Sequence, residues 1–489
     1  MTASSTPSHT QRSPDETLLL VRVGDAALGV HNTAPGTALP VSIDYVDARG
    51  AVWRTVELPR NASGGRAPCT LSHGDEAAGS TSWWLDTEGL PSRAAETEDV
   101  VLLPCHASPA GARLADLLRD NKTIATLGAS ATRDNVTTLL FVGFTGLRGT
   151  ATGLRQVASL DGRSGFWVAG IANSRYGVRY VAPGSVNATR VHGATFYGST
   201  ATADALRYQP ATLDVRGLGV YGGRLLLTSS YAVERNRNMP PTGLWRGWTP
   251  WGGLVLIGDD DSATSPPTTS QASSVLARGF PGRRNYWTFV FENDRSLWLL
   301  QDTSSYRAAS HVEAAAFEGR VAAGGAALAA AGGGAAAALR PVNVRTSPGT
   351  SVVHWVWRDS TWQDEPAARV AIPGAAACYS LAGRDEGGAT GWVVYTTSRT
   401  TLYRLVTATR TLTEVARAPA GSAYRGVVLP PLLPRGGSAP PAQRRAPTSL
   451  SLLEAPPVSE TPSAVRTPTM THTRTRTWTR TKTRKPRAA

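Results

Sequence analysis

The chain has 489 residues, of which 41% are hydrophobic and only 18% charged, with 49 Gly, 33 Pro and more Trp (14) than Tyr (13) or Phe (8); so turn-rich a composition, poor in Glu and Lys, excludes helical bundles and coiled coils. The longest apolar run, Val321 to Leu339, is mostly Gly and Ala with almost no bulky side chain, which excludes a membrane-spanning helix. The net charge of +14 is uneven, because residues 433–489 hold eleven basic residues against Glu454 and Glu460, a net of +9 that leaves +5 for the rest of the chain.

In chain order, residues 1–16 are polar and lack the basic start and apolar core of a secretory signal, so a disordered lead without an export signal is expected. From residue 17 to residue 432 short β-rich runs alternate with turn clusters, and this span is expected to form one folded body. Within it Cys69 and Cys105 each follow a proline. They could be bridged in an oxidising compartment, with Cys378 left free, or all three could be buried thiols. Four sequons stand at Asn61, Asn121, Asn135 and Asn187, candidate N-glycosylation sites if the chain is exported. Val215 to Tyr221 and Arg224 to Ser229 flank Gly222-Gly223, whose glycines supply the positive φ angles of a tight hairpin turn. Tyr286 to Phe291 and Ser296 to Gln301 flank Glu-Asn-Asp-Arg, and Ser351 to Trp357 turns at Arg358-Asp359-Ser360. Gly391 to Thr397, Thr401 to Val406 and Thr411 to Arg417 read as a three-stranded meander.

In Val352 to Trp357 and Trp392 to Tyr395 the apolar residues run almost continuously instead of alternating, as in strands buried on both faces. Strand clusters recurring every 40 to 50 residues or so, plus insertions, predict an all-β fold: a single β-propeller of about seven blades. Two stretches break the rhythm. Residues 321–339 form an Ala/Gly low-complexity insertion, and residues 433–489 are rich in Pro, Ser, Thr and Arg, too polar to bury a core, and are expected to be a disordered tail.

Several segments resemble a group of largely uncharacterised secreted or surface β-propeller proteins. They are Leu18 to Gly24 (LLLVRVG), the Gly165 to Ala182 stretch ending in Gly-Val-Arg-Tyr-Val, the Val220 to Ser230 hairpin, Phe280 to Gln301, and Ala418 to Pro430 with its Tyr-Arg-Gly-Val motif. The resemblance implies export to the extracellular space or cell surface. It brings no catalytic residue with it.

Motifs for chemistry are sparse. There is no G-x-S-x-G, H-E-x-x-H or P-loop, and the G-x-G-x-x-G at Gly217, Gly219 and Gly222 runs into a strand instead of a helix. The eight histidines are scattered, and His354 between Val353 and Trp355 reads as a satisfied core or edge residue. Asp259-Asp260-Asp261 lacks the rest of a calcium loop, and Ser159 to Arg163 reads as an Asp-Gly turn. No catalytic residue, metal site or cofactor is expected. Trp245, Trp248 and Trp251 sit in one Pro/Gly-held loop and are candidate ligand contacts. In the tail Thr alternates with basic residues, and Arg474, Arg476, Arg480, Lys482, Arg484, Lys485 and Arg487 form a candidate polyanion-binding arm.

Together these features point to a monomeric, non-enzymatic extracellular or surface interaction module. Its ligand would be an unknown protein or glycan, and its tail would bind polyanions. The alternatives are a glycan-active propeller hydrolase or lyase, and an intracellular scaffold, nuclear or cytoplasmic, brought to nucleic acid by the tail.

Overall fold

A computed structural model of the chain describes residues 17–63, 67–74, 88–117, 120–128, 136–141, 153–171, 177–183, 189–192, 215–231, 251–257, 274–276, 286–301, 351–373 and 378–432. The expected N-terminal lead, the Ala/Gly insertion and the basic tail lie outside these residues.

The described residues are almost wholly β, with one short α-helix at Leu114–Leu117 and a 3-10 turn at Pro366–Ala368. Blade one contains β1 (Thr17–Val23), β2 (Leu39–Asp47) and β3 (Val52–Glu57). Blade two follows with β4 (Thr70–Leu71), β5 (Ser92–Arg93), β6 (Val100–His106), β7 (Lys122–Gly128) and β8 (Val136–Phe141). The short β4 and β5 are two pieces of its inner strand, both pairing with β6. Blade three is the meander β9 (Gly153–Ala158), β10 (Phe166–Ile171), β11 (Gly177–Val181) and β12 (Thr189–His192). Blade four has β13 (Val215–Tyr221), β14 (Arg224–Tyr231), β15 (Trp251–Ile257) and β16 (Ser274–Leu276). Blade five has β17 (Tyr286–Asn293), β18 (Ser296–Gln301), β19 (Ser351–Arg358), β20 (Thr361–Asp364) and the small β21 (Val370–Ala371). Blade six is β22 (Cys378–Asp385), β23 (Trp392–Ser398), β24 (Thr401–Val406) and β25 (Thr411–Arg417). The last strand, β26 (Ala423–Val428), returns to blade one and pairs antiparallel with β1.

This pairing of the two chain ends closes the ring. The fold is a single β-propeller, and the described residues form six blades where about seven were expected. Six apolar clusters fill the six junctions between neighbouring blades. In one, Leu18, Leu20, Val393, Tyr395 and Tyr424 join blade six to blade one; in another, Leu19, Val41, Leu103, Cys69 and Cys105 join blade one to blade two. The other junctions are filled in the same way. The repeat is stretched unevenly. The 49-residue span 302–350 separates β18 from β19, yet these strands pair in register from Ser296↔Val356 to Gln301↔Ser351.

The continuous apolar runs have the cause inferred from them. In β19, Val353, Trp355 and Trp357 face the junction with blade four, while Val352 faces blade six. In β23, Val394 faces blade five, and Val393 and Tyr395 face blade one. Burying a large apolar side chain is worth about 2–3 kcal/mol, so each central strand stabilises two interfaces at once. The β13–β14 hairpin turns at Gly222 and Gly223 with φ of 57° and 78°, the left-handed geometry that two-residue hairpin turns require.

Candidate functional site

Blade five brings together polar groups that are distant in sequence. Ser296 opens β18, and Trp298, two residues on, lies opposite His354 of β19. The indole and imidazole rings stack with centroids 4.2 Å apart and planes 16° from parallel, which fixes the plane of the imidazole. His354 Nε2 is then 2.7 Å from Ser296 Oγ, and Nδ1 is 2.8 Å from Glu365 Oε2. Glu365 is held from two further directions. Its backbone N–H donates to the His354 carbonyl at 3.0 Å, and Arg358 donates to its second carboxylate oxygen. Burial pushes the Glu365 carboxyl up, but hydrogen bonds from His354 and Arg358, with their charges, hold it below the ordinary carboxylate range.

A second carboxylate completes the group. Glu292 Oε2 accepts from Ser296 Oγ at 2.8 Å and from Trp298 Nε1 at 3.0 Å, and lies 3.8 Å from His354 Nε2. An ionised carboxylate only accepts, so the contact with Glu365 places a proton on Nδ1. Neutral His354 then offers the Nε2 lone pair to the Ser296 hydroxyl. When the imidazole is protonated, Nε2–H donates to Oγ and the hydroxyl turns to Glu292. The cluster lies at the solvent edge, with the His354 side chain 14% exposed and that of Glu365 26%. His354 is therefore satisfied, as expected, but by partners that linear spacing did not reveal.

Blade two contains a second, deeper group. Glu88 Oε2 accepts from Ser72 Oγ at 3.1 Å and meets His106 Nε2 at 2.7 Å. All three residues are almost fully buried. Burial and the nearby Lys122 cation push His106 below its ordinary value despite Glu88. Lys122 is itself lowered to about 8 by burial, against the pull of Glu88 and Asp120, and its Nζ donates to the carbonyls of Leu117 and Asp120. The serine here donates to the carboxylate and not to the imidazole, so this group is a hydrogen-bonded core network and not a nucleophile–base pair.

The inner strands carry large side chains into the centre of the ring. Arg216 of blade four lies 3.8 Å from the centroid of the Trp287 ring of blade five, and Arg155 of blade three 5.9 Å from it. Tyr379 of blade six meets Trp287 edge-on at 5.4 Å. Arg425 of β26 donates to the Ser72 carbonyl of blade two at 2.5 Å. All are buried, and Trp287 is reached by Arg155 from a non-adjacent blade.

Of the residues singled out from sequence, Cys69 and Cys105 are joined in a disulfide whose Cα atoms are 5.1 Å apart. Cys378 is buried and free, its thiol pushed up to about 12 by burial. Asn61 and Asn121 are exposed, at opposite ends of one surface stretch: the Ala110 N–H donates to the carbonyl of Arg60, beside Asn61, and the Ala107 N–H to that of Asn121 itself. Asn135 and Asn187 lie outside the described residues. Trp251 begins β15 opposite Tyr231, while Trp245, Trp248, Asp259 to Asp261 and the seven basic residues of the tail lie outside. Asp161 accepts from the backbone N–H groups of Arg163 and Ser164, each at 2.8 Å, the Asp-Gly turn that was read there. Among the described residues no group of three metal-ligating side chains occurs. No helix among them is long and apolar enough to cross a membrane.

No family model and no curated protein matches the chain. Among solved structures it is similar to a chain of a nidogen/laminin complex, at 6% identity and a TM-score of 0.37 over 84% of this chain and 97% of that one. It is similar also to a putative 6-phosphogluconolactonase from Bacteroides fragilis, at 9% identity and 0.37 over 83% of each. A third is the β-propeller domain of Swd1 from Myceliophteria thermophila, at 11% identity and 0.34 over 82% of this chain and 86% of that one. At such identities and scores these likenesses carry no functional conclusion, and the propeller assignment stands on the five hydrogen-bonded sheets, the largest of which spans blades one and two, and on the pairing that closes the ring.

Proposed function

We propose that the chain is an interaction module of the extracellular space or cell surface, a propeller that meets its partner on its faces and loops, with a basic tail that adds affinity for polyanions. What supports this reading is the burial of the inner-strand side chains Arg155, Arg216, Trp287, Tyr379 and Arg425, with Trp287 contacted from blades three, four and six, where a ligand in an axial chamber would need open volume. Export is supported by the Cys69–Cys105 disulfide, by exposed sequon asparagines at Asn61 and Asn121, and by the resemblance to secreted and surface propellers.

The tail is tested by binding to heparin and to duplex DNA between 50 and 200 mM salt, for the full chain and for one ending at Ser463. Neutralising six or more phosphates with Arg and Lys should cost the full chain roughly a thousandfold in DNA affinity across that range. The shortened chain should bind neither polyanion and should unfold at the same temperature. Polyanion binding retained by the shortened chain overturns the tail reading. Equal binding of a neutral glycan by both chains directs attention to Trp245, Trp248 and Trp251.

A further inference from the structure

We infer that Ser296, His354 and Glu365 form a nucleophilic serine site on blade five, able to take an acyl group from a carboxylic ester. Three observations support it. The hydroxyl, imidazole and carboxylate are in line at 2.7 and 2.8 Å, with the imidazole nitrogens in the order that activates a hydroxyl: Nε2 to Ser296, Nδ1 to Glu365. The base is held rigidly, with its plane set by the stacked Trp298 and its carboxylate partner set by Arg358 and by a backbone bond to His354 itself. Finally, the imidazole and its carboxylate partner reach the solvent edge and Ser296 beside them is 8% exposed, whereas Ser72, Glu88 and His106 are all at 2% or below. Three roles that must be met together, nucleophile, base and orienter of the base, are filled by residues from one blade.

The chemistry balances without a cofactor. Ser296 Oγ attacks the ester carbonyl carbon while its proton passes to His354 Nε2. The imidazolium returns that proton to the departing alkoxide, which leaves as an alcohol, and the acyl group stays on Ser296. Water, deprotonated by the same imidazole, then releases the acid and restores the hydroxyl. Glu365 acts as a positioning residue, keeping the proton on Nδ1 and stabilising the imidazolium. Glu292 works against the first step, because it competes for the single Ser296 proton at 2.8 Å. Among the described residues, the titratable and charged side chains around His354 are Glu292 from β17, Glu365 after β20, and Arg358, which acts through Glu365. Protonating the imidazole turns the serine proton to Glu292 and disables the site.

The test is covalent labelling of the full chain with a fluorophosphonate, in which Oγ replaces fluoride at phosphorus and fluoride and the serine proton are lost. Intact mass and peptide mapping read the adduct, and circular dichroism checks the fold. One adduct is expected, on Ser296, with a rate that rises with pH. It should vanish in Ser296→Ala and slow roughly 100-fold or more in His354→Gln. Glu365→Gln should slow it and move its pH profile, with partial recovery in Glu365→Asp. Glu292→Ala should label faster than the parent chain. Absence of a Ser296 adduct at pH 8 in both the folded parent chain and Glu292→Ala overturns the proposal. So does a parent-chain labelling rate that does not change with pH, a reading that holds even if the histidine variant fails to fold.

Discussion

Trp287 offers the most direct test of the packing between the inner strands. Its side chain is fully buried, it packs with Leu300, Val352 and Tyr379 at the junction of blades five and six, and its ring faces the guanidinium of Arg216 at 3.8 Å. Trp287→Ala removes the largest apolar surface on the inner strands, at about 3–5 kcal/mol for a buried Trp truncated to Ala. The cation–π contact, desolvated here, adds about 2 kcal/mol, and the two arginines stay in place around the void. A total of about 5–7 kcal/mol is therefore expected. Trp287→Phe keeps an aromatic face for Arg216, and the indole N–H it removes has no hydrogen-bond partner among the described residues. Its cost should be about 2 kcal/mol, set by lost volume. Urea unfolding followed by circular dichroism, extrapolated linearly to water, gives both numbers. A cost below about 1.5 kcal/mol for Trp287→Ala would mean that the site can collapse or hydrate freely, and the argument from inner-strand packing would fall with it.

Two further measurements test other parts of the fold. Lys122 titrates at about 8 in the folded chain against 10.5 when unfolded, so between those values the unfolded chain binds more protons and stability rises with pH. The gain should be about 2–3 kcal/mol from pH 8 to 10, and it should disappear in Lys122→Met. Above pH 10 the trend reverses, because buried Tyr45 and Tyr424 keep their phenolic protons longer than the unfolded chain does. Below pH 6.5 the depressed His106 makes stability fall as the unfolded chain takes up the proton first; a flat profile from pH 8 to 10 would contradict the burial of Lys122. When the chain is expressed through a eukaryotic secretory route, glycosidase-sensitive mass should map to Asn61 and Asn121, and bare asparagines at both positions would contradict the export reading.

The sequence showed strands and turns wherever short-range chemistry decides them. Gly222-Gly223 specified its hairpin because only glycine enters the left-handed region cheaply, and Val352 to Trp357 declared a doubly buried strand through its unbroken apolar run. Blade number was less legible, since residues 302–350 separate two strands that are neighbours in space and so disguise the repeat. The Ser296 cluster was illegible for the same reason. Its serine and histidine are 58 residues apart, and only the β18–β19 register puts them on one face. His354 taken alone, between Val353 and Trp355, carried no sign of two carboxylates beside it. Lys122 and His106 were likewise scattered until the pairing of β6 with β7 set them opposite each other, with Glu88 meeting His106 from outside both strands.

The closure of the ring by β1 and β26 imposes an order on biosynthesis. β1 is apolar on both faces, with Leu18 and Leu20 toward blade six and Leu19, Val21 and Val23 toward blade two. One of its edges pairs with β2, which follows soon after, but the other must wait for β26, some 400 residues further along the chain. At about 5–20 residues per second, a ribosome takes roughly 20–80 s to supply that partner. Throughout the interval the nascent chain presents an unpaired strand edge flanked by leucine and valine, the surface on which misassembly between neighbouring chains begins. During translation the outer edge of the first strand therefore stays open to such misassembly until β26 is made, and a chain stalled or cut short before Ala423 should aggregate more readily than the finished ring.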